Sequence, residues 1–382
     1  MTKKEVFRCI AFVLVVCCLL VVMCDLFEQD EPNCASRFYS YRNFEKDTVD
    51  AVYFGTSGVD RYWISAKAYE DYGMTVYNLT ADSMPVFLYK IMIDEALAYQ
   101  NPKLLIFDIR AFGQDNLPSF VDIRGRRTMD ALGIFSVNRL KAAQRTMEVM
   151  KKVDEDAPDF DISYHLPFVK FHSKWKDSPT TNPPFTIDNT AGHDPSKSGG
   201  FVLHSHYSVH KVDIWNKNYG DKYKLDQYKE LDPVSEQSLY EIINYTKELG
   251  IQVLFVDTPQ FMNDEKLGRA NTTIKILEEN NVPYISYNMP GAEEKLNVTF
   301  DLKNDFYEDN HVNFYGAKKF TDSLAAYLDA NYDLPDHRND PDVQKDWDGV
   351  YDHIEATIAR FEKAKQDQVE SEGKDNQNKE DE

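Results

Sequence analysis

The run Val52-Tyr53-Phe54-Gly55-Thr56-Ser57-Gly58 is apolar through Phe54, then stops at small residues and leaves the Ser57 hydroxyl at the break. A short apolar run closed by glycine reads as a buried strand, predicted here over residues 51–54. In an α/β sheet, ligands bind in the crevice beyond the carboxyl ends of such strands. Ser57 would stand in that crevice as a candidate nucleophile. An ordinary Gly-Ser turn after a strand has the same appearance, so the reading depends on what the chain supplies downstream.

Downstream lies Asp305-Phe306-Tyr307-Glu308-Asp309-Asn310-His311-Val312-Asn313-Phe314-Tyr315-Gly316-Ala317, just ahead of a helical pattern over residues 318–328. A serine hydroxyl becomes a useful nucleophile when a histidine takes its proton. The histidine in turn needs a carboxylate to hold its tautomer and stabilise the imidazolium. Here His311 and its acid can share one loop. Glu308, three residues before His311, can fold back to its Nδ1, and Asp309 is the alternative acid if the loop runs extended. Asn310 and Asn313 are expected to brace the loop by side-chain-to-backbone bonds.

Taken together, a G-x-S after the first strand and an acid-x-x-His before the last helix resemble the SGNH (GDSL-like) hydrolase superfamily. Further pieces are similar to one branch of it: Val76-Tyr77-Asn78-Leu79, Glu95-Ala96-Leu97, Pro102-Lys103-Leu104-Leu105-Ile106-Phe107-Asp108, Phe171-His172-Ser173-Lys174-Trp175 and His311-Val312-Asn313. That branch comprises membrane-anchored, extracytoplasmic proteins of Gram-positive bacteria, related to the D-alanyl transfer protein of teichoic-acid loading and to alginate-type O-acetylation proteins. The resemblance spans residues 30–361, and only the Ser57 and His311 blocks carry chemistry. It implies O-acyl transfer to a cell-envelope polysaccharide or teichoic-acid-like acceptor through an acyl-enzyme, with no cofactor, beside a membrane-bound O-acyltransferase. A carbohydrate O-acyl esterase using the same residues, and a non-catalytic glycan-binding or assembly subunit, are the alternatives.

The chain departs from the superfamily in two places. The family's acid is an aspartate where Glu308 stands. The family also draws oxyanion donors from a glycine in a second block and an asparagine in a third, whereas Leu79 is followed by Thr80-Ala81-Asp82-Ser83-Met84-Pro85. Backbone N–H groups of Gly58 and near Ser83 are candidate donors. Asn78 is a further candidate, although an asparagine at a strand end is commonly a turn former.

Outward from these blocks, strands are expected at residues 75–79, 104–109, 252–257 and 283–287, alternating with helices at 66–72, 87–99, 234–249, 270–280 and 316–330. Such alternation implies a parallel sheet covered on both faces, here a three-layer flavodoxin-like sandwich whose core is residues 28–110 and 234–335. Residues 111–233 are too long for a simple loop and are expected to form an inserted cap over the site, with one helix over 127–153. The rest of that stretch mixes aromatics and histidines, among them Tyr164, His165, Trp175, His193 and His210. His204 and His206 alternate as on one strand face, but no third ligand is evident, so no metal site is assigned.

Lys3, Lys4 and Arg8 precede an uncharged apolar run from Cys9 to Cys24. The run is slightly shorter than the roughly 20 residues that span a bilayer, but Leu26 and Phe27 extend it and Arg8 can snorkel. No small-residue cleavage site follows, so residues 1–27 are expected to be a cytoplasmic stub and uncleaved signal anchor, with the remainder outside the cell. Four of the five cysteines lie in that run, which leaves Cys34 without a partner for a disulfide in the exterior domain. A net charge of -21 argues against a nucleic-acid partner, whose phosphates demand a basic face. Val343, Trp347, Val350, Tyr351, Ile354, Ile358 and Phe361 repeat at helical spacing, so residues 336–365 should dock as a helix. Residues 366–382, nearly devoid of apolar side chains, are expected to be a disordered acidic tail.

Overall fold

Successive side chains of a strand point to opposite faces, and in the central strands of this protein both sets are apolar. The computed structural model describes residues 1–27, 35–133, 136–170, 198–203 and 227–380. Five strands, β1 (Ala51–Gly55), β2 (Val76–Thr80), β3 (Leu104–Asp108), β4 (Gln252–Asp257) and β5 (Tyr284–Ser286), form one sheet in the order β2-β1-β3-β4-β5. Every neighbouring pair is parallel. This is the α/β sheet expected from the alternation, with strand limits shifted by a residue or two.

Val52, Phe54, Leu105, Phe107 and Phe255 pack on one face with the helices Tyr89–Tyr99, Val137–Val153, Pro233–Leu249 and Asp264–Glu279. Rings of Phe54, Phe107 and Phe255 stand 5.4 and 5.1 Å apart in sequence across β1, β3 and β4. Ala51, Tyr53, Ile106, Leu254 and Val256 face the helices Ser65–Tyr72 and Phe314–Asn331 on the other side. Parallel strands buried on both faces need such cover from both sides. The β2 edge is closed by the segment 198–203. The Gly199 carbonyl accepts the Asn78 N–H at 2.8 Å, and Gly200, at φ +85°, lies so close to β2 that a Cβ would fall 2.2 Å from the Asn78 carbonyl oxygen.

Several elements differ from the expectation, each for a local reason. The single helix over 127–153 is instead two, Pro118–Asp130 and Val137–Val153. Ser136 caps the second by accepting the Asn138 N–H, and the two pack together at Gly125, where a Cβ would meet Thr146 Cγ2 at 2.6 Å. The helix expected from residue 270 begins at Asp264, because Asn263 caps it through the Lys266 N–H and acids fill its first turn. Residues 336–365 form two helices, Pro341–Trp347 and Val350–Glu380, parted where Gly349 adopts φ +71°. The second continues through the stretch expected to be a disordered tail. Glu, Lys and Gln are good helix formers, and extending an existing helix avoids a new nucleation step.

At the other end, Lys3–Phe27 is one helix, and its stretch Lys3–Met23 is long and apolar enough to cross a membrane, as a signal sequence also is. None of that stretch is buried against the rest of the chain. The polar lead-in before β1 contains a helix, Ala35–Asn43, whose Arg37 reaches under the sheet edge to Asp60 at 2.8 Å. Both side chains are about 1% exposed, and the Arg37 carbonyl accepts the Tyr77 hydroxyl at 2.7 Å. Asp60 also accepts Thr80 Oγ1.

Removing one partner of a buried pair leaves the other charge without compensation. Arg37→Ala should therefore lower unfolding free energy by about 3 kcal/mol, read as a lower urea midpoint. An Arg37→Met/Asp60→Leu double variant should recover part of that loss. A midpoint unchanged by Arg37→Ala would mean that the pair does not hold the lead-in helix.

Candidate active site

β1 has β2 on one side and β3 on the other, so the chain leaves β1 and β3 in opposite directions and opens a crevice beyond their carboxyl ends. Ser57 enters it from β1 and Arg110 from β3. Ser57 begins a helical turn, Ser57–Asp60, capped by Thr56, whose Oγ1 accepts the Gly58 N–H at 3.3 Å. Two glycines make this turn possible. A Cβ at Gly55 would lie 2.3 Å from Val59 Cγ2, and one at Gly58 would lie 2.8 Å from Asp108 Oδ2 and 2.9 Å from the Arg110 guanidinium.

The second half of the site is a small antiparallel hairpin, β6 (Phe306–Glu308) and β7 (His311–Val312), with an irregularity between Phe306 and Glu308. Phe306 and Val312 are buried and anchor it. The Asp309 carbonyl accepts the Phe261 N–H at 2.8 Å, and the Asn313 N–H reaches the Asp305 carbonyl at 2.9 Å. Asn313 then caps the helix Phe314–Asn331 by accepting the Tyr315 and Gly316 N–H groups, while its Nδ2 donates to the Asn304 carbonyl. The hairpin thus has a fixed exit, and both ends of its tip are held.

This brings together the three residues expected from the sequence. His311 Nε2 lies 2.7 Å from Ser57 Oγ, and His311 Nδ1 is hydrogen-bonded to Glu308 Oε1. An ionised carboxylate can only accept, so the imidazole proton belongs on Nδ1 and the Nε2 lone pair faces the serine hydroxyl. Glu308 Oε2 is held in turn by Asn310 Nδ2 at 3.3 Å, a side-chain bond where a backbone one was expected of Asn310. Asp309, the alternative acid, is exposed and makes no side-chain bond to His311.

Burial pushes the His311 pKa down to about 4. Its hydrogen bond to Glu308 opposes that shift, and the nearby charges of Arg110 and Arg61 reinforce it. Burial works to raise Glu308, but the hydrogen bond and charge of His311 together with the bonds from Asn310 outweigh it and hold the carboxyl below its usual range. The Tyr307 ring lies parallel to the imidazole, within 4° and with centroids 5.5 Å apart, while its hydroxyl is hydrogen-bonded to Arg61. Asp108, beneath the turn, is raised to about 6 by burial, against the pull of Arg110.

A cavity of about 420 Å³ opens beside the serine, lined by Ser57, Ser83, Arg110, Gln260, Lys266 and His311 among others. The three oxyanion candidates fare differently. Ser83 lines the cavity and sits at φ +53°, the left-handed region that glycine occupies most readily. The Gly58 N–H is engaged by Thr56. Asn78 is fully buried on β2, where its Nδ2 donates to the Trp63 carbonyl at 2.9 Å, and it does not line the cavity. A strand residue pointing into the sheet packing cannot also reach the crevice.

Arg110 was not anticipated. Its Nη1 donates to the Asn310 carbonyl at 2.9 Å and to the Tyr62 hydroxyl at 3.2 Å, next to His311. The Tyr62 hydroxyl itself lies 2.7 Å from the same Asn310 carbonyl. The available signal was positional, since Asp108-Ile109-Arg110 supplies the first polar groups after an apolar strand. Of the stretch expected to roof the site, Gly113, Gln114 and Asp115 reach the cavity. Phe171, His172, Trp175, His193, His204, His206 and His210 lie outside the described residues. Among the described residues, no group of three or more His, Cys, Asp or Glu side chains is placed to hold a metal. No family model matches the chain, and no curated protein matches it.

If Glu308 orients His311, Glu308→Gln should lower turnover by on the order of 10⁴ with the fold intact, and Asp309→Asn should have little effect. The reverse ranking, measured on an activated ester, would move the acid by one residue. A base must be unprotonated to work, and His311 is neutral above about pH 4. Accordingly kcat/KM should be lost as pH falls through about 4 and be flat from there to neutrality; an inflection near 6.5 would show the imidazole to be open to water.

Proposed function

We propose that the protein is an SGNH-type serine acyltransferase with a flavodoxin-like core, in which the inserted stretch 111–233 contributes to the acceptor side of the crevice through Gly113, Gln114 and Asp115. The observation that carries this reading is the continuous relay from Glu308 through His311 to Ser57, with 2.7 Å between His311 Nε2 and Ser57 Oγ. The strand order β2-β1-β3-β4-β5 is the one flavodoxin-like folds use.

In the first half-reaction His311 Nε2 takes the Ser57 proton as Oγ bonds to the ester carbonyl carbon, and the carbonyl oxygen becomes an oxyanion. Collapse of this intermediate breaks the bond to the leaving oxygen, which receives the proton from His311 and departs as an alcohol. The acyl group is left on Ser57. In the second half an acceptor hydroxyl gives its proton to His311, attacks the acyl carbon, and Oγ leaves with the proton returned to it. Glu308 stabilises the imidazolium in both halves. The backbone at Ser83, beside the cavity, supplies the natural position for an oxyanion donor.

The acceptor in this reading is a hydroxyl of a cell-envelope polysaccharide or teichoic-acid-like polymer. The helix Lys3–Phe27 would act as a single-pass signal anchor that keeps the domain at the outer face of the membrane. There it could take acyl groups delivered by a membrane-bound O-acyltransferase. With water in place of the polymer hydroxyl, the same residues make a carbohydrate esterase. The engaged Gly58 N–H and the inward-facing Asn78 favour a third reading, a non-catalytic glycan-binding subunit, because both remove expected oxyanion donors.

A fluorophosphonate probe should label the full-length protein in membranes and leave Ser57→Ala unlabelled. Absence of labelling in the parent protein supports the non-catalytic reading. Where labelling occurs, an acyl-enzyme that partitions to added oligosaccharide supports transfer, and release of free acid alone supports the esterase.

A further inference from the structure

The cavity beside Ser57 holds two cations that no acid among the described residues neutralises by contact. Lys266 donates to Asn310 Oδ1 at 2.6 Å, and Arg110 Nη1 donates to the carbonyl of the same residue at 2.9 Å. Both side chains line the cavity with Ser57 and His311, and Asn310 immediately precedes His311. The third cation of the lining, Arg269, is of another kind, since Asp115 at 2.8 Å and Glu265 at 3.0 Å already neutralise it. For Arg110 and Lys266 no carboxylate lies within ion-pair distance among the described residues.

Surrounding acids act only at longer range. Asp108 and Asp257 raise the Arg110 affinity for its proton, and Glu308 and Asp309 do the same for Lys266. Asp108 is turned toward the Arg110 backbone N–H, Asp257 toward Ser286, and Glu308 toward His311. The side-chain bonds of Arg110 to Tyr62, Thr258 and Asn310 all use Nη1, which leaves Nε and Nη2 uncommitted among the described residues. That edge of a guanidinium is a fork that matches two oxygens of one anionic group. Holding two cations on one residue is unfavourable, and Lys266 registers it, its pKa lowered first by partial burial of its ammonium and then by the charge of Arg110. In a chain of net charge -21, acids to pair with them were plentiful.

Resting on the serine chemistry above, we infer that the ester handled at Ser57 carries a carboxylate or phosphate group, held between Arg110 and Lys266 beside the scissile bond. Anchorage of both cations on Asn310 sets the anion one residue from the base. The charge can belong either to the acyl group or to the alcohol that leaves or accepts it.

Two matched ester pairs separate these sources: mono-(4-nitrophenyl) succinate against 4-nitrophenyl butanoate for the acyl side, and 4-acetoxyphenyl phosphate against phenyl acetate for the alcohol side. In the full-length protein one anionic ester should exceed its neutral counterpart about tenfold or more in kcat/KM, as a charge-assisted hydrogen bond allows. Lys266→Gln should cut that ratio about tenfold, and Lys266→Arg should keep it. Equal kcat/KM within both pairs, in protein that a fluorophosphonate labels at Ser57, would overturn the inference and leave the serine chemistry standing. A preference that survives Lys266→Gln would overturn it as well. Failure to label would remove the chemistry on which it rests.

Discussion

The turn that presents Ser57 depends on there being no side chain at Gly58. Asp108 Oδ2 and the Arg110 guanidinium close over that position at distances a Cβ could not share, and this contact ties the end of β1 to the end of β3. Nearly everything else in the site follows from it. With Arg110 pressed onto the turn, its Nη1 reaches across to the Asn310 carbonyl, and the hairpin that carries Glu308 and His311 is drawn against the serine. Gly55, at the end of the strand itself, acts in the same way by letting Val59 fold back on β1. A sheet of parallel strands brings these ends together because all of them finish on the same side.

The electrostatic arrangement is a compromise between burial and charge. Burial keeps His311 neutral, as a base must be, and Glu308 limits how far it goes, so that the imidazolium formed in a proton transfer has a partner. Two arginines oppose that imidazolium, and they do so without touching the ring: Arg61 binds the Tyr307 hydroxyl and Arg110 binds the Asn310 carbonyl. Tyr307, flat against the imidazole, excludes water from one face. Arg110 and Lys266 bring two cations without a contacting carboxylate, among the described residues, to the cavity beside Ser57. A negative group placed beside them would be attracted, the more strongly where water is excluded.

What was legible in the sequence came from local signals. Short apolar runs, the first of them closed by Gly55, located the five strands, and their alternation with helical periodicity implied the parallel sheet. The apolar run after Lys3, Lys4 and Arg8 located the helix Lys3–Phe27. Ser57, Glu308 and His311 stood out because a nucleophile, a base and an acid are chemically distinctive and the last two are three residues apart. Local composition misled where context decides: residues 366–380 look unstructured but extend a helix begun elsewhere, and Asn78 looks like a turn residue but is buried by its partner Trp63.

By itself, then, the chain's order of residues determined the element types, the sheet class and the identity of a candidate relay, since each rests on spacing within a few residues. The spacing of three residues favoured Glu308 over its neighbour Asp309 as the acid, and the tertiary structure settled it, since Glu308 ends β6 against His311 while Asp309 lies exposed in the turn. Tertiary structure alone decided the roles of Arg37, Arg110 and Lys266. Each is an unremarkable cation in sequence, and each acquires its function from a partner far along the chain: Asp60 for Arg37, and Asn310 for the other two. Long-range pairs of this kind leave no periodic trace, because the energy that selects them arises only once the sheet has brought its strand ends together.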